Sequence, residues 1–298
     1  ILSSAAVEQM AVDQTTTTLE AAPPSAFRYG LGWDTVQDPA LKSAGVRGWT
    51  KGGDLVDYHA GFVIAPDQGL AAIVGGAGTT FSSSSAEAIA QTVLLNALVE
   101  TGAIKKMPKQ LGGEPAKDKP TPKQVKRMTA VYLAQGASLK VTEGKNRSLR
   151  LSLLADGEWV RQPGRLVRRA DGAFWSTEVP GRSIRSVRAW DRTYLVMRSI
   201  GGTGTFRTDH TLGQRTRSAG SLPAAWSQRV GQRWLLSNED PSSVNWTLSE
   251  PGVKITAVPG LSGYLVAEGA LIASVPFAAT ASDSLGSMFL EIPLLSGR

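Results

Sequence analysis

Residues 84–102 carry the clearest periodic pattern in the chain. Ile89, Val93, Leu94 and Ala97 recur at helical spacing, behind a Ser84–Glu87 pair that reads as a capping box. Gly102 can take positive φ, so the pattern predicts a helix that stops there. A shorter helix is predicted over 1–12, capped by Ser3 or Ser4, with Val7, Met10 and Ala11 on one face. The polar run Thr15–Thr18 and then Pro23-Pro24 break it. Between the two helices lie four strand-like stretches, roughly 27–35, 45–51, 56–65 and 69–77, with Asp67-Gln68-Gly69 as the turn of the last pair.

The pattern changes past residue 102. Residues 103–124 hold Pro108, Pro115, Pro120, Pro122, Gly112 and Gly113 among lysines, which predicts a linker. Beyond it, Leu149, Leu151 and Leu153 alternate with Arg150 and Ser152, and Val253, Ile255 and Ala257 alternate with Lys254 and Thr256. Period two puts one face in and one face out. Turn signals recur at Ala155-Asp156-Gly157, Ala170-Asp171-Gly172 and Glu250-Pro251-Gly252, as in closed antiparallel barrels. The expected division is 1–105, a linker at 106–122, and a β-barrel region at 123–298, with 215–225 as the place where two barrels would divide.

Charge follows the same division. The chain of 298 residues carries a formal +7, but residues 1–118 sum to −4 and residues 119–298 to +11. Such asymmetry fits two domains with different surfaces. No cysteine is present, which excludes disulfides and thiolate metal sites and fits an exported protein, periplasmic or extracellular. No apolar run spans a membrane. The start, Ile1-Leu2-Ser3-Ser4, has no initiator Met and is no signal peptide, so a longer protein is expected.

The chemistry concentrates in three blocks: Tyr29-Gly30-Leu31-Gly32-Trp33, Trp49-Thr50-Lys51-Gly52-Gly53, and Gly61 to Leu70. A lysine at a strand end can hold a carboxylate as a point charge. Two following glycines let a ligand backbone approach the strand edge, whose amides could pair with it or stabilise an oxyanion.

These blocks, in this order, resemble the third motif region of the serine beta-lactamase and D,D-peptidase superfamily, in its class C and esterase-like branch. The resemblance covers about residues 1–105. It implies an α+β fold: an incomplete beta-lactamase-like antiparallel sheet with flanking helices, followed by one or two lipocalin-like antiparallel β-barrels, as in D-aminopeptidase-like members. It implies that Lys51 orients a substrate carboxylate, that Gly52 and Gly53 floor the site, and that the Asp54 amide is an oxyanion donor. Thr50, Tyr58 and His59 would border the substrate. The implied activity is acyl-enzyme hydrolysis of a small peptide, amide or ester, with no cofactor. Two departures stand out. Gly52 replaces a common hydroxyl residue, and no serine is followed by lysine three residues on. The nucleophile is therefore expected on a segment upstream of Ile1, and the isolated chain is expected to be inactive.

Other residues read more plainly. His59, between Tyr58 and Phe62, reads as a structural histidine before a catalytic one, and His210 as surface. No metal site follows from two distant histidines. Nine arginines between Arg161 and Arg198, interleaved with Trp159, Trp175, Trp190 and Tyr194, read first as the outward face of a barrel. Their second reading is a surface for an anionic cell-envelope polymer, which gives the alternative function of a non-catalytic binding module. No nucleic-acid motif accompanies them.

Overall fold

The computed structural model describes residues 2–15, 28–55, 57–134, 137–155, 157–189, 191–217, 220–234, 242, 253–269 and 277–280. By its internal contacts the chain divides into one unit of Ile1–Glu114 with Arg198–His210, and a second of Pro115–Met197 with Thr211–Arg298. The fold is α+β with a barrel.

In the first unit, α1 (Ser4–Met10) is capped by Ser3, whose side chain accepts from the Ala6 amide. Helix α2 (Pro39–Ser43) is capped by Asp38. Strands β1 (Trp49–Leu55), β2 (Tyr58–Ala65) and β3 (Leu70–Ala77) form an antiparallel sheet in that order. Pro66–Gln68 make a 3-10 turn closed by Gly69 at φ 64°. Helix α3 (Ser83–Glu100) lies on one sheet face, burying Ala86, Ala90, Leu94, Leu95 and Leu98 against Val63, Ala65 and the α2 residues Ala40 and Leu41. The layers touch because Gly61 has no side chain. A Cβ there would overlap the Glu87 backbone nitrogen.

Three local expectations are corrected. The described residues of the 27–35 stretch form no strand; residue 27 lies outside the description. Gly32 at φ 83° breaks the extension, and only Thr35 bridges to Thr50. The stretch at 45–51 becomes a strand only from Trp49, because Gly45 at φ 75° turns the chain after α2. The cap of α3 is Ser82, which accepts from the Ser85 amide at 3.2 Å, so Ser84 and Glu87 are inside the helix and Glu87 is free to face the sheet. Gly102, at φ 74°, does end the helical run.

The second unit opens with α4 (Pro122–Met128), whose first residues fall in the stretch read as linker. Thr121 and Gln124 form its capping box and Pro122 fits its first turn. Strands β4 (Ala130–Ala134), β5 (Ala137–Glu143), β6 (Leu149–Ala155), β7 (Glu158–Arg161), β8 (Leu166–Arg168), β9 (Phe174–Ser176), β10 (Ser183–Ala189), β11 (Arg192–Ile200) and β12 (Arg207–Arg215) follow. Their order is β5-β4-β12-β11-β10-β9-β8-β6, and β5 pairs β6, which closes an eight-stranded antiparallel barrel. Among the described residues β7 pairs only with β6. The interior holds Leu139, Val141, Leu149, Leu166, Phe174 and Ile184, with Val125 and Met128 of α4 in the same cluster.

A single barrel accounts for eight of the nine strands β4–β12, with β7 attached to β6 outside the ring. The rest is a separate four-stranded sheet of β13 (Arg233–Trp234), β14 (Val253–Ala257), β15 (Tyr264–Gly269) and β16 (Phe277–Thr280), preceded by the short α5 (Ala224–Ser227). Leu154, on the outer barrel face, packs with Val258, Tyr264 and Val266. The turn residues Asp156 and Glu250-Pro251-Gly252, like Trp190, lie outside the described residues. No described helix is long and apolar enough to cross a membrane.

Candidate functional site

Strand alternation sorts the residues singled out in the first unit. β1 and β2 pair with Thr50 opposite Val63, Gly52 opposite Gly61 and Asp54 opposite His59. Directly opposed residues share a sheet face. Thr50, Gly52, Asp54 and His59 therefore face α3. Lys51, Gly53 and Tyr58 lie on the other face, where Tyr58 is 68% exposed.

On the α3 face the polar groups are tightly engaged. Asp38 is fully buried and accepts from Leu41 N at 2.8 Å, Thr50 Oγ1 at 2.6 Å and Gln91 Nε2 at 2.7 Å. The Thr50 hydroxyl is thus held by the protein itself. Asp54 accepts from Ser83 Oγ at 2.6 Å and from Ser83 N at 3.1 Å, and it contacts His59 Nδ1. The Ser83 bond first, then His59, hold its carboxyl below the usual range. His59 Nε2 is buried and has no hydrogen-bond partner.

Lys51 turns back along its strand. Its ammonium lies 3.1 Å from Asp34 and contacts the Gly52 carbonyl, and its side chain is 47% exposed. Asp34 also accepts from the Gly52 amide at 2.6 Å. Glu87 sits over Gly52, where a Cβ would meet its carboxyl oxygen. Burial, then the nearby Asp34 and Asp38 charges, push the Glu87 carboxyl up to about 7, and Lys51 opposes them. A carboxyl at that value can hold or release a proton near neutrality. A cavity of about 230 Å³ lies beside it, lined by Thr35, Thr50, Gln91 and His210 among others. Gly53 opens on free space.

Asp34, Asp38, Ser83, Glu87 and Gln91 were not among the sequence candidates. Asp34 follows the Tyr-Gly-Leu-Gly-Trp block directly, and Glu87 was read only as a cap. Among the described residues no three His, Asp or Glu side chains are placed to hold a metal ion.

The second unit holds a different arrangement. A cleft of about 740 Å³ is lined by Lys117, Lys119, Lys145, Arg147, Arg165, Arg168 and Arg169, and by one acid, Asp118. Residues 117 and 118 are fixed on the barrel: Lys117 bridges to Arg169, and the Asp118 amide donates to the Arg168 carbonyl at 3.1 Å. Arg168 pairs with Asp118 at 2.8 Å, and Arg147 donates to the Pro120 carbonyl at 3.0 Å. Lys145-Asn146-Arg147 form a tight turn before β6, with Asn146 and Arg147 at positive φ. The ion pairs of the described residues give Lys117, Lys119, Lys145 and Arg165 no carboxylate. Within the arginine run, Trp175 and Tyr194 are buried, and Arg198 is taken up by Asp209 at 2.7 Å.

No protein-family model matches the chain, and no curated protein does. Two solved structures, titled "Crystal structure of SurE with D-Leu" and "Crystal structure of SurE", are similar at 19% identity and a TM-score of 0.39. The alignments cover 71% of this chain and 44% and 42% of those chains, so this chain spans less than half of their length. Likeness at that level carries no argument about fold or activity. The family expectation is corrected accordingly. Nothing matched ties the chain to the serine beta-lactamase and D,D-peptidase superfamily, and neither title names it. The expectation of an acyl-enzyme hydrolase, penicillin-binding-protein-like or esterase-like, falls with it.

Proposed function

We propose that this chain binds an anionic polymer of the cell envelope in the cleft between Lys117 and Arg169, in a periplasmic or extracellular setting. One observation carries the reading: seven cationic side chains line a single cleft beside one carboxylate, and that carboxylate is already paired. Like charges gathered this way repel one another, and a polyanion relieves the repulsion. Each exposed pair contributes at most about 1 kcal/mol, so useful affinity needs several contacts at once. A cleft of about 740 Å³ has room for several charged groups of a polymer. The arginines add forked contacts to phosphate or carboxylate.

The test is calorimetric titration of the chain with inorganic polyphosphate and with polygalacturonate. Binding should weaken steeply as salt rises, because exposed charges are screened. A Lys145→Glu/Arg147→Glu variant should bind at least about tenfold more weakly, equal to roughly 1.4 kcal/mol. Lys126→Glu on α4, outside the cleft, should bind as the parent does. Salt-independent binding, or an unchanged double variant, refutes the proposal.

A further inference from the structure

The barrel contains a second cavity, which shares Arg165 with the basic cleft but has a largely apolar wall. Residues facing a barrel interior are ordinarily packed out. Here Leu139, Leu166 and Ile184 are buried, but Leu151, Leu153, Met197 and Leu212, which belong to the same interior cluster, stay only half-buried. Together they line a cavity of about 420 Å³. The rest of its lining mixes polar side chains, among them Arg165, Arg182, Glu178 and Gln162, with Pro163, Gly164 and Val179. Neither Arg165 nor Arg182 has a carboxylate partner among the ion pairs of the described residues.

We infer that the barrel takes a single-chain amphiphile, with its hydrocarbon tail against the half-buried leucines and its anionic head at Arg165 and Arg182. Three features support one occupant of this kind. The leucines and Met197 offer an apolar wall that water satisfies poorly. The volume is that of a small-ligand pocket. The two arginines supply opposite charge beside the apolar wall, so a carboxylate or phosphate monoester head is matched and a neutral head is not. Methionine adds a side chain that adapts to a flexible tail.

The experiment is a fluorescence titration of the full chain with cis-parinaric acid. Saturable binding is expected, with displacement by palmitate. Its methyl ester, which has the same tail and no charge, should bind about tenfold more weakly or worse. Lysophosphatidate as displacer distinguishes a phosphate head from a carboxylate one; failure of both natural amphiphiles to displace overturns the inference. Arg182→Glu should weaken the acid about tenfold and leave the ester unchanged. Met197→Trp fills the cavity and should abolish binding. Leu212→Phe, a smaller change that keeps the barrel folded, should weaken it. The Lys145→Glu/Arg147→Glu variant separates the two proposals, since it should leave amphiphile binding intact. Equal affinity for acid and ester, or unchanged binding in both cavity-filling variants, refutes the assignment.

Discussion

Replacing Glu87 with glutamine should make the protein less sensitive to pH between about 4.5 and 7. The Glu87 carboxyl, ordinarily at 4.5, is pushed up to about 7 in the folded chain by burial and by Asp34 and Asp38. The folded state therefore binds this proton more tightly than the unfolded state does. Stability contributed by the protonated form is present below 4.5 and is lost as pH rises through 7. For a fully buried group a rise of that size is worth ~3 kcal/mol. Glu87 is only partly buried, and solvent screening reduces this to ~1–2 kcal/mol. Glutamine keeps the shape and cannot ionise. The assay is urea unfolding of the parent and Glu87→Gln at pH 4.5 and pH 8. The variant should gain ~1–2 kcal/mol relative to the parent on going to the higher pH. Groups that titrate alike in both proteins cancel in that difference. A difference that stays flat, or one that grows toward acid, refutes the account of the site.

Three further outcomes test the packing. Asp38→Ala strands the Leu41 amide, the Thr50 hydroxyl and the Gln91 amide, and should cost ~3–4 kcal/mol in denaturant unfolding. Gly61→Ala forces a Cβ into the α3 backbone and should cost ~2–3 kcal/mol, whereas Gly53→Ala meets nothing and should stay within ~0.5 kcal/mol by thermal melting. Arg198→Ala removes the paired guanidinium from Asp209, which is 3% exposed, and should destabilise by ~3 kcal/mol; Asp209→Asn in the same background should recover part of that loss.

The parts of this fold that were legible in the sequence are those written in local period. The α3 pattern, the alternation of Leu149, Leu151 and Leu153, and the turn at Gly69 each record a neighbour within a few residues. What alternation could not reveal was the companion across the fold. Lys51, Gly52, Gly53 and Asp54 were grouped because they are consecutive, yet the pleat sends Lys51 and Gly53 to one face and Gly52 and Asp54 to the other. Glu87 was assigned to a cap because a capping pattern spans only a few residues, whereas its real neighbours, Asp34 and Asp38, lie far back along the chain. The basic cleft was hidden for the same reason. Lys117 and Lys119 read as linker charge and Arg165–Arg169 as barrel surface until the Lys117–Arg169 bridge joined them. The family resemblance rested on an ordered set of short motifs, and short motifs of glycine, lysine and aromatic residues recur wherever strands turn.

Closure of the barrel has a kinetic corollary. Eight strands joined in a ring leave no terminal member to peel away, so releasing any one of them opens two seams together. Amide protons of β4, β5, β6 and β8–β12 should therefore exchange with deuterium in one cooperative opening. The amides of β7, held along a single seam by β6, should exchange earlier and independently.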